Sequence, residues 1–171
     1  MKRDECPADL GADSTGIPSV EQSTCESDPD QCLAKCNGGS GPHCFALARV
    51  IQDNDSIEND VADVLFRNAC RFGIASGCTN AAAPLSASDN SEAIKCSARA
   101  FEITCANGDP WGCSMDGMMR MEGSGRDVDL EGAKRSFERT CELAKAMNYD
   151  EPCEKANALR AIAEGQEETK R

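Results

Sequence analysis

Cysteine recurs in this chain in pairs at a fixed interval. Cys36 and Cys44 stand eight positions apart, as do Cys70 and Cys78, and Cys105 and Cys113; Cys141 and Cys153 form a looser copy twelve apart. Successive first members are separated by 34, 35 and 36 residues. A period of that length marks stacked supersecondary units rather than one core gathered from scattered segments. Four residues before the first cysteines stand Cys32, Phe66, Phe101 and Phe137, and eight before the last three stand Ala62, Ser97 and Ala133. Residues one helical turn apart share a face, and small side chains at the eighth position let neighbouring helices approach closely. The unit therefore reads as a helix ending in Phe-x-x-x-Cys, a Gly-bearing turn, and a second helix that opens near the other cysteine. The adjoining ends of such an αα-hairpin meet the Cα separation a cystine requires, about 4.4–6.8 Å.

Composition explains why such bonds would matter. Aromatic residues make up only 4% of the 171 residues, so the core must come from Ala, Leu, Ile, Val, Met and cystine. Closing an eight-residue loop is worth roughly 2–3 kcal/mol in chain entropy, and four such bonds rival the stability of a whole ordinary domain, about 5–15 kcal/mol. Twelve cysteines, an even number, imply a disulfide framework made in an oxidising compartment. Zinc would need CxxC knuckles or Cys/His pairs, and the chain has no CxxC and a single histidine, His43. No metal or other cofactor is implied. Met1, Lys2 and Arg3 lead into Asp4, Glu5 and Cys6 without an apolar run, so neither a signal peptide nor a membrane span is read. The oxidised cysteines still imply export: the chain reads as a mature periplasmic, secreted or cell-surface form, with a lipid-anchored precursor left open. The net charge of −12 argues against nucleic acid and anionic membranes and suits a basic protein partner.

Residues 1–30 are rich in Asp, Ser, Pro and Gly and read as an extended or loosely held acidic arm, pinned by Cys6 and Cys25. Helices are expected over 41–51, from a Ser56 N-cap to about 71, over 75–83 with a stop at Pro84, and over 91–106. Three more are expected from 110 to about 121, from 129 to 146 and from 151 to 164, with a charged tail, 165–171, that frays.

The stretch from Asp116 to Ala133 resembles the Sel-1-like repeat, a relative of the tetratricopeptide repeat, whose pattern is L-G-x-x-Y-x-x-G-x-G-V-x-x-D-x-x-x-A. Gly117, Gly123, Gly125, Asp129 and Ala133 fall in register, while Asp116, Arg120 and Arg126 occupy the Leu, Tyr and Val positions. The paired cysteines resemble the cysteine-rich branch of that family, typified by the helicobacter cysteine-rich proteins, in which each repeat carries a disulfide at this spacing. The resemblance covers about 32–164 and implies an all-α solenoid of αα-hairpins with one disulfide per repeat, three to four units long. It is good in the third unit; in the first two it rests on cysteines, Phe and Ala.

Cys6, Cys25, Cys32 and Cys96 stand outside the pairs and allow three connectivities. Cys25 with Cys32 repeats a near-eight spacing and would leave Cys6 to staple the arm to Cys96; alternatively Cys32 and Cys36 take different partners. Met115, Met118, Met119 and Met121 could offer thioethers to Cu(I) but read as helix packing. Asp53, Asp55 and Glu58 suggest part of a calcium loop, yet the EF-hand pattern fails and a capped turn is the better reading. Some proteins of the cysteine-rich branch are linked to β-lactams. Ser-x-x-Lys and Lys-Thr-Gly are both absent here, and Ser88-Asp89-Asn90 alone is a weak match, so no enzyme is read. Trp111, the sole tryptophan, reads first as core and, if exposed, as an interface anchor.

These features point to an exported protein-binding module, a monomer or part of a heterocomplex. Arg49, Gln52, Trp111, Asp116 and Arg120 are its candidate binding residues. The resemblance adds a sharper role, an immunity or inhibitor protein against a secreted toxin. The alternatives are a cell-envelope scaffold or adaptor and, least favoured, a penicillin-binding or β-lactamase-like activity.

Overall fold

Three glycines reverse the chain. Gly39, Gly73 and Gly108 each follow the first cysteine of a pair by three residues and have φ of +95°, +88° and +92°. Residues with a Cβ are strained there, so glycine allows a hairpin turn short enough to bring two helix ends together. The computed structural model describes residues 6–54 and 59–169. They form ten helices: α1 (Pro7–Gly11), α2 (Gln22–Ser27), α3 (Pro29–Asn37), α4 (Gly41–Gln52), α5 (Asn59–Arg71), α6 (Ala75–Ser86), α7 (Ser91–Ala106), α8 (Pro110–Glu122), α9 (Leu130–Ala146) and α10 (Glu151–Thr169). Helices from α3 onward pack on their sequence neighbours, so the chain is an all-α array of hairpins.

Cystines close the hairpins. Cys36–Cys44, Cys70–Cys78, Cys105–Cys113 and Cys141–Cys153 have Cα separations of 4.7, 4.5, 4.3 and 4.4 Å. Of the connectivities open to the other four cysteines, the fold takes Cys25–Cys32 and Cys6–Cys96. Between the bonds lie three apolar clusters, and each holds one of the periodic phenylalanines, Phe66, Phe101 or Phe137. Ala62, Ser97 and Ala133 are buried where helices cross. At the α5–α6 crossing, a Cβ on Gly77 would stand 2.7 Å from the Cβ of Ala69.

Three expectations change. The described part of the first thirty residues is not loose. Helix α1 packs on α5, α6 and α7, and Gly16 bridges Ile74, its N–H donating to the Gly73 carbonyl at 2.8 Å. Ser14 Oγ donates to the Cys70 carbonyl at 2.9 Å, and Asn107 Nδ2 to the Gly11 carbonyl at 2.9 Å. The arm is held by the Cys6–Cys96 bond, by Ala8 and Cys25 in the apolar clusters, and by hydrogen bonds to backbone groups of the hairpin turns. Pro84 does not end α6, which runs on to Ser86. It sits in the last turn, where its missing N–H costs one hydrogen bond. Helix α10 continues past Gly165 to Thr169. Ser56, the expected cap of α5, lies outside the described residues, as do Asp55 and Glu58.

Candidate binding groove

The second helix of each hairpin turns one stripe toward a common groove of about 510 Å³. From α4 come Phe45, Arg49 and Gln52; from α6 Ser76, Thr79, Asn80 and Ala83; from α8 and its cap Asp109, Pro110, Trp111 and Met115. Spacings of three, four and seven put each set on one helical face. The last wall is built differently. Met147 and Tyr149, from the turn after α9, and Glu151 and Lys155, from the first turns of α10, close it, with Pro18 of the arm also at the margin. The volume falls in the ordinary range for ligand clefts, about 300–1,000 Å³.

The floor is polar and fully bonded. Asp109 is only 3% exposed and is the N-cap of α8. Its carboxylate accepts from the Gly112 N–H at 2.9 Å, from Ser76 Oγ at 2.8 Å and from the Thr79 hydroxyl, which lies 2.9 Å from Thr104 Oγ1. Burial pushes the Asp109 carboxyl above the usual carboxylate range, against the pull of these donors. Asp109 thus ties α6 to α8, and the groove floor is fixed by buried hydrogen bonds rather than apolar bulk.

The last wall is aromatic and charged. Trp111 Nε1 donates to Tyr149 Oη at 3.3 Å, and Tyr149 Oη donates to Glu151 Oε2 at 3.0 Å. Lys155 Nζ lies 4.7 Å from the centre of the Trp111 ring and 3.5 Å from Glu151 Oε1. Desolvation raises the Tyr149 phenol above its ordinary range. Across the groove, Arg49 donates to Gln52 Oε1 at 2.9 Å and faces Asp53 at 3.7 Å.

The sequence candidates separate here. Arg49, Gln52 and Trp111 line the groove; Asp116 and Arg120 do not. Trp111 is half-buried and forms a wall, so neither the core reading nor a freely exposed anchor describes it. Asp116 is buried at 3% exposure and holds two arginines: Arg120 Nε at 2.8 Å and Arg126 Nη1 at 3.2 Å. Ser136 Oγ donates to it at 2.6 Å. Arg120 also reaches Asp129 at 3.1 Å and Glu102 at 3.0 Å. Burial opposes the Arg120 charge, but the bond and charge of Asp116 outweigh it and raise the guanidinium further. The three positions that depart from the Leu, Tyr and Val of the repeat pattern therefore meet in one ion cluster between α8 and the following loop.

Other flagged residues have structural tasks. Met119 and Met121 are buried in the apolar clusters and Met115 packs against one. Ser88 Oγ accepts from the Asn90 N–H at 3.1 Å, and Asn90 caps α7 by accepting from the Glu92 N–H at 2.9 Å. Asp53 accepts from Gln22 Nε2 at 2.9 Å. His43 lies within hydrogen-bond distance of Ser40 Oγ, 2.7 Å, and burial lowers its imidazole. Sequence reasoning missed Asp109, Tyr149, Glu151 and Lys155. The signal for Tyr149 and Glu151 was the widened fourth cysteine pair, whose interval contains them; Lys155 lies just beyond it.

No protein-family model matches this sequence, and no curated protein matches it. Solved structures do. A Sel1 repeat protein from Oxalobacter formigenes superposes with a TM-score of 0.57 at 18% identity, over 77% of this chain and 98% of that one. Helicobacter pylori cysteine rich protein B superposes with a TM-score of 0.54 at 17% identity, over 79% of this chain and 96% of that one. At these identities the likeness establishes the fold: this chain is a Sel1-type helical solenoid with a disulfide in each hairpin.

Proposed function

We propose that this chain is an exported protein-binding module whose groove along α4, α6, α8 and α10 holds a segment of a partner protein. The observation that carries the reading is the groove wall itself: a half-buried tryptophan and a tyrosine beside charged side chains, on a floor locked by Asp109. Aromatic side chains on a rigid scaffold are the usual anchors of protein interfaces. Solenoids offer such extended faces, which fits the fold shared with the two solved repeat proteins. Six cystines support an extracytoplasmic setting, periplasmic, secreted or cell-surface. The sharper form of the proposal is an immunity or inhibitor protein that covers a basic secreted toxin, supported by the charge of −12. Ala83 lies on the groove face of α6, so Ala83→Arg should obstruct it without touching a cystine. The disulfide-intact protein is expected to capture one stoichiometric partner from an envelope extract and to protect cells intoxicated by it, and Ala83→Arg to abolish both. Capture that Ala83→Arg leaves intact refutes the groove; capture without protection refutes the immunity role alone.

A further inference from the structure

The groove already holds a cation. Lys155 lays its ammonium over the face of Trp111 at 4.7 Å from the ring centre, with Glu151 as counter-charge at 3.5 Å. The site does not depend on Lys155 for its shape. Trp111 donates to Tyr149 at 3.3 Å and Tyr149 donates to Glu151 at 3.0 Å, so ring, phenol and carboxylate are oriented by one another. An electron-rich ring face beside a carboxylate suits an ammonium or guanidinium group. The hold on Lys155 itself is loose: its side chain is 60% exposed on a flexible stem, and the pair with Glu151 is a surface pair within one helix.

We propose that the Trp111–Tyr149–Glu151 corner is a receptor for a lysine or arginine side chain of the partner, and that Lys155 is an internal stand-in which that cation displaces. This rests on reading the groove as a protein-binding face. Charge favours a cationic occupant over an anionic one. The chain carries −12, which attracts basic segments and repels acidic ones. Each of the two cations lining the groove already faces a carboxylate, Arg49 that of Asp53 and Lys155 that of Glu151. The displaced Lys155 can swing to solvent while Glu151 changes partners, so one ion pair is exchanged for another.

Trp111 is the sole tryptophan, so its emission reports occupancy of this corner directly. The disulfide-intact protein is titrated with a capped Gly-Ser decapeptide carrying two lysines and with the same peptide carrying two glutamates. The lysine peptide is expected to change Trp111 emission saturably, in a manner weakened by salt, and the glutamate peptide to leave it unchanged. Lys155→Ala should tighten the lysine peptide roughly three- to tenfold, the reach of one exposed cation–π contact and its ion pair. Glu151→Gln should weaken it by about the same factor. Lys145→Ala removes an equal charge from an exposed site outside the groove and should leave affinity unchanged. Equal binding of the two peptides, or Lys155→Ala binding no tighter than wild type, overturns the proposal; so does equal tightening by Lys145→Ala, which would reduce the effect to net charge. Partner capture that Ala83→Arg abolishes would still stand in those cases, which separates failure of this inference from failure of the groove.

Discussion

The α5–α6 and α9–α10 hairpins are closed by the same bond, yet only the second builds a binding wall. Their cystines have nearly equal Cα separations, 4.5 and 4.4 Å. In the first, the helix stops one residue after Cys70 and Gly73 makes the turn. In the second, α9 runs five residues past Cys141 to Ala146, and Asn148, at φ 52°, makes the turn. Asparagine is among the few side chains that enter the left-handed region readily. The added length moves the turn off the cystine. Cys70 and Cys78 are fully buried, whereas Cys141 and Cys153 are half-buried. It also carries Met147 and Tyr149 to the groove beside Trp111. Regular spacing stabilises the array, and the departure from it makes the site.

The largest test of that contrast removes each bond in turn. The double substitution Cys70→Ala with Cys78→Ala should cost about 4–5 kcal/mol, from loop closure and lost buried packing together. Cys141→Ala with Cys153→Ala should cost about 2–3 kcal/mol, since loop closure is then the main loss. Guanidinium unfolding under non-reducing conditions measures both, and equal costs would show that burial does not separate the two turns. Mild thiol should likewise reduce Cys141–Cys153 before Cys70–Cys78, as read by alkylation and peptide mapping.

Next is the other departure from the repeat pattern. Asp116→Ala removes the buried carboxylate that Arg120 and Arg126 share, leaving them only the more exposed Asp129 and Glu102, and should cost about 3 kcal/mol. Replacing the whole cluster with the apolar residues of the repeat pattern, Asp116→Leu with Arg120→Tyr and Arg126→Val, should return stability to within about 1 kcal/mol of wild type. Additive losses in the triple variant would mean that the three residues do not act as one unit. Smaller still is Tyr149→Ala, expected to cost under about 1 kcal/mol while shifting Trp111 emission to the red, because Tyr149 covers the indole N–H edge and water would replace it.

The smallest effect compares two capping aspartates. Asp109 and Asp129 each accept from a glycine N–H three residues on, at 2.9 and 2.8 Å. Their surroundings differ: burial raises Asp109, whereas the Gly132 N–H and then Arg120 lower the half-buried Asp129. Asp129→Asn keeps a capping side chain and should cost a few tenths of a kcal/mol at neutral pH. A lowered folded-state value gives stability that is present above the ordinary aspartate range and lost as pH falls through the lowered value, so the gap should close in acid. Asp109 has the opposite sign. Its contribution is full below the ordinary aspartate range and is lost as pH rises through the raised value, so wild type should lose ground to Asp109→Asn on going from acid to neutral pH. Parallel pH profiles for the two variants would refute the assignment.

Much of this was legible in the residues because it is local or periodic. The boundaries of α4, α7, α8 and α9 follow caps, prolines and turn glycines close in sequence, and agree with expectation to within one residue. The groove was half legible. Arg49 and Gln52, in the last turn of α4, and Trp111, in the first turn of α8, lie on the groove stripe, but Asp116 and Arg120, further along α8, turn into a buried cluster instead. What separates them is the partner each meets across a helix crossing, and a single sequence does not record that.

By itself the sequence determined the hairpin array, since a fixed cysteine interval, a phenylalanine one turn earlier and a glycine three residues later are satisfied together by one local geometry. Only the tertiary structure decided which side chains face the groove, that the acidic arm bonds to hairpin-turn backbone groups, and that Asp109 is buried while Asp129 is only half-buried. Those outcomes depend on side chains brought together from separate helices across the array, and their energies are set by desolvation and by partners far away in the chain.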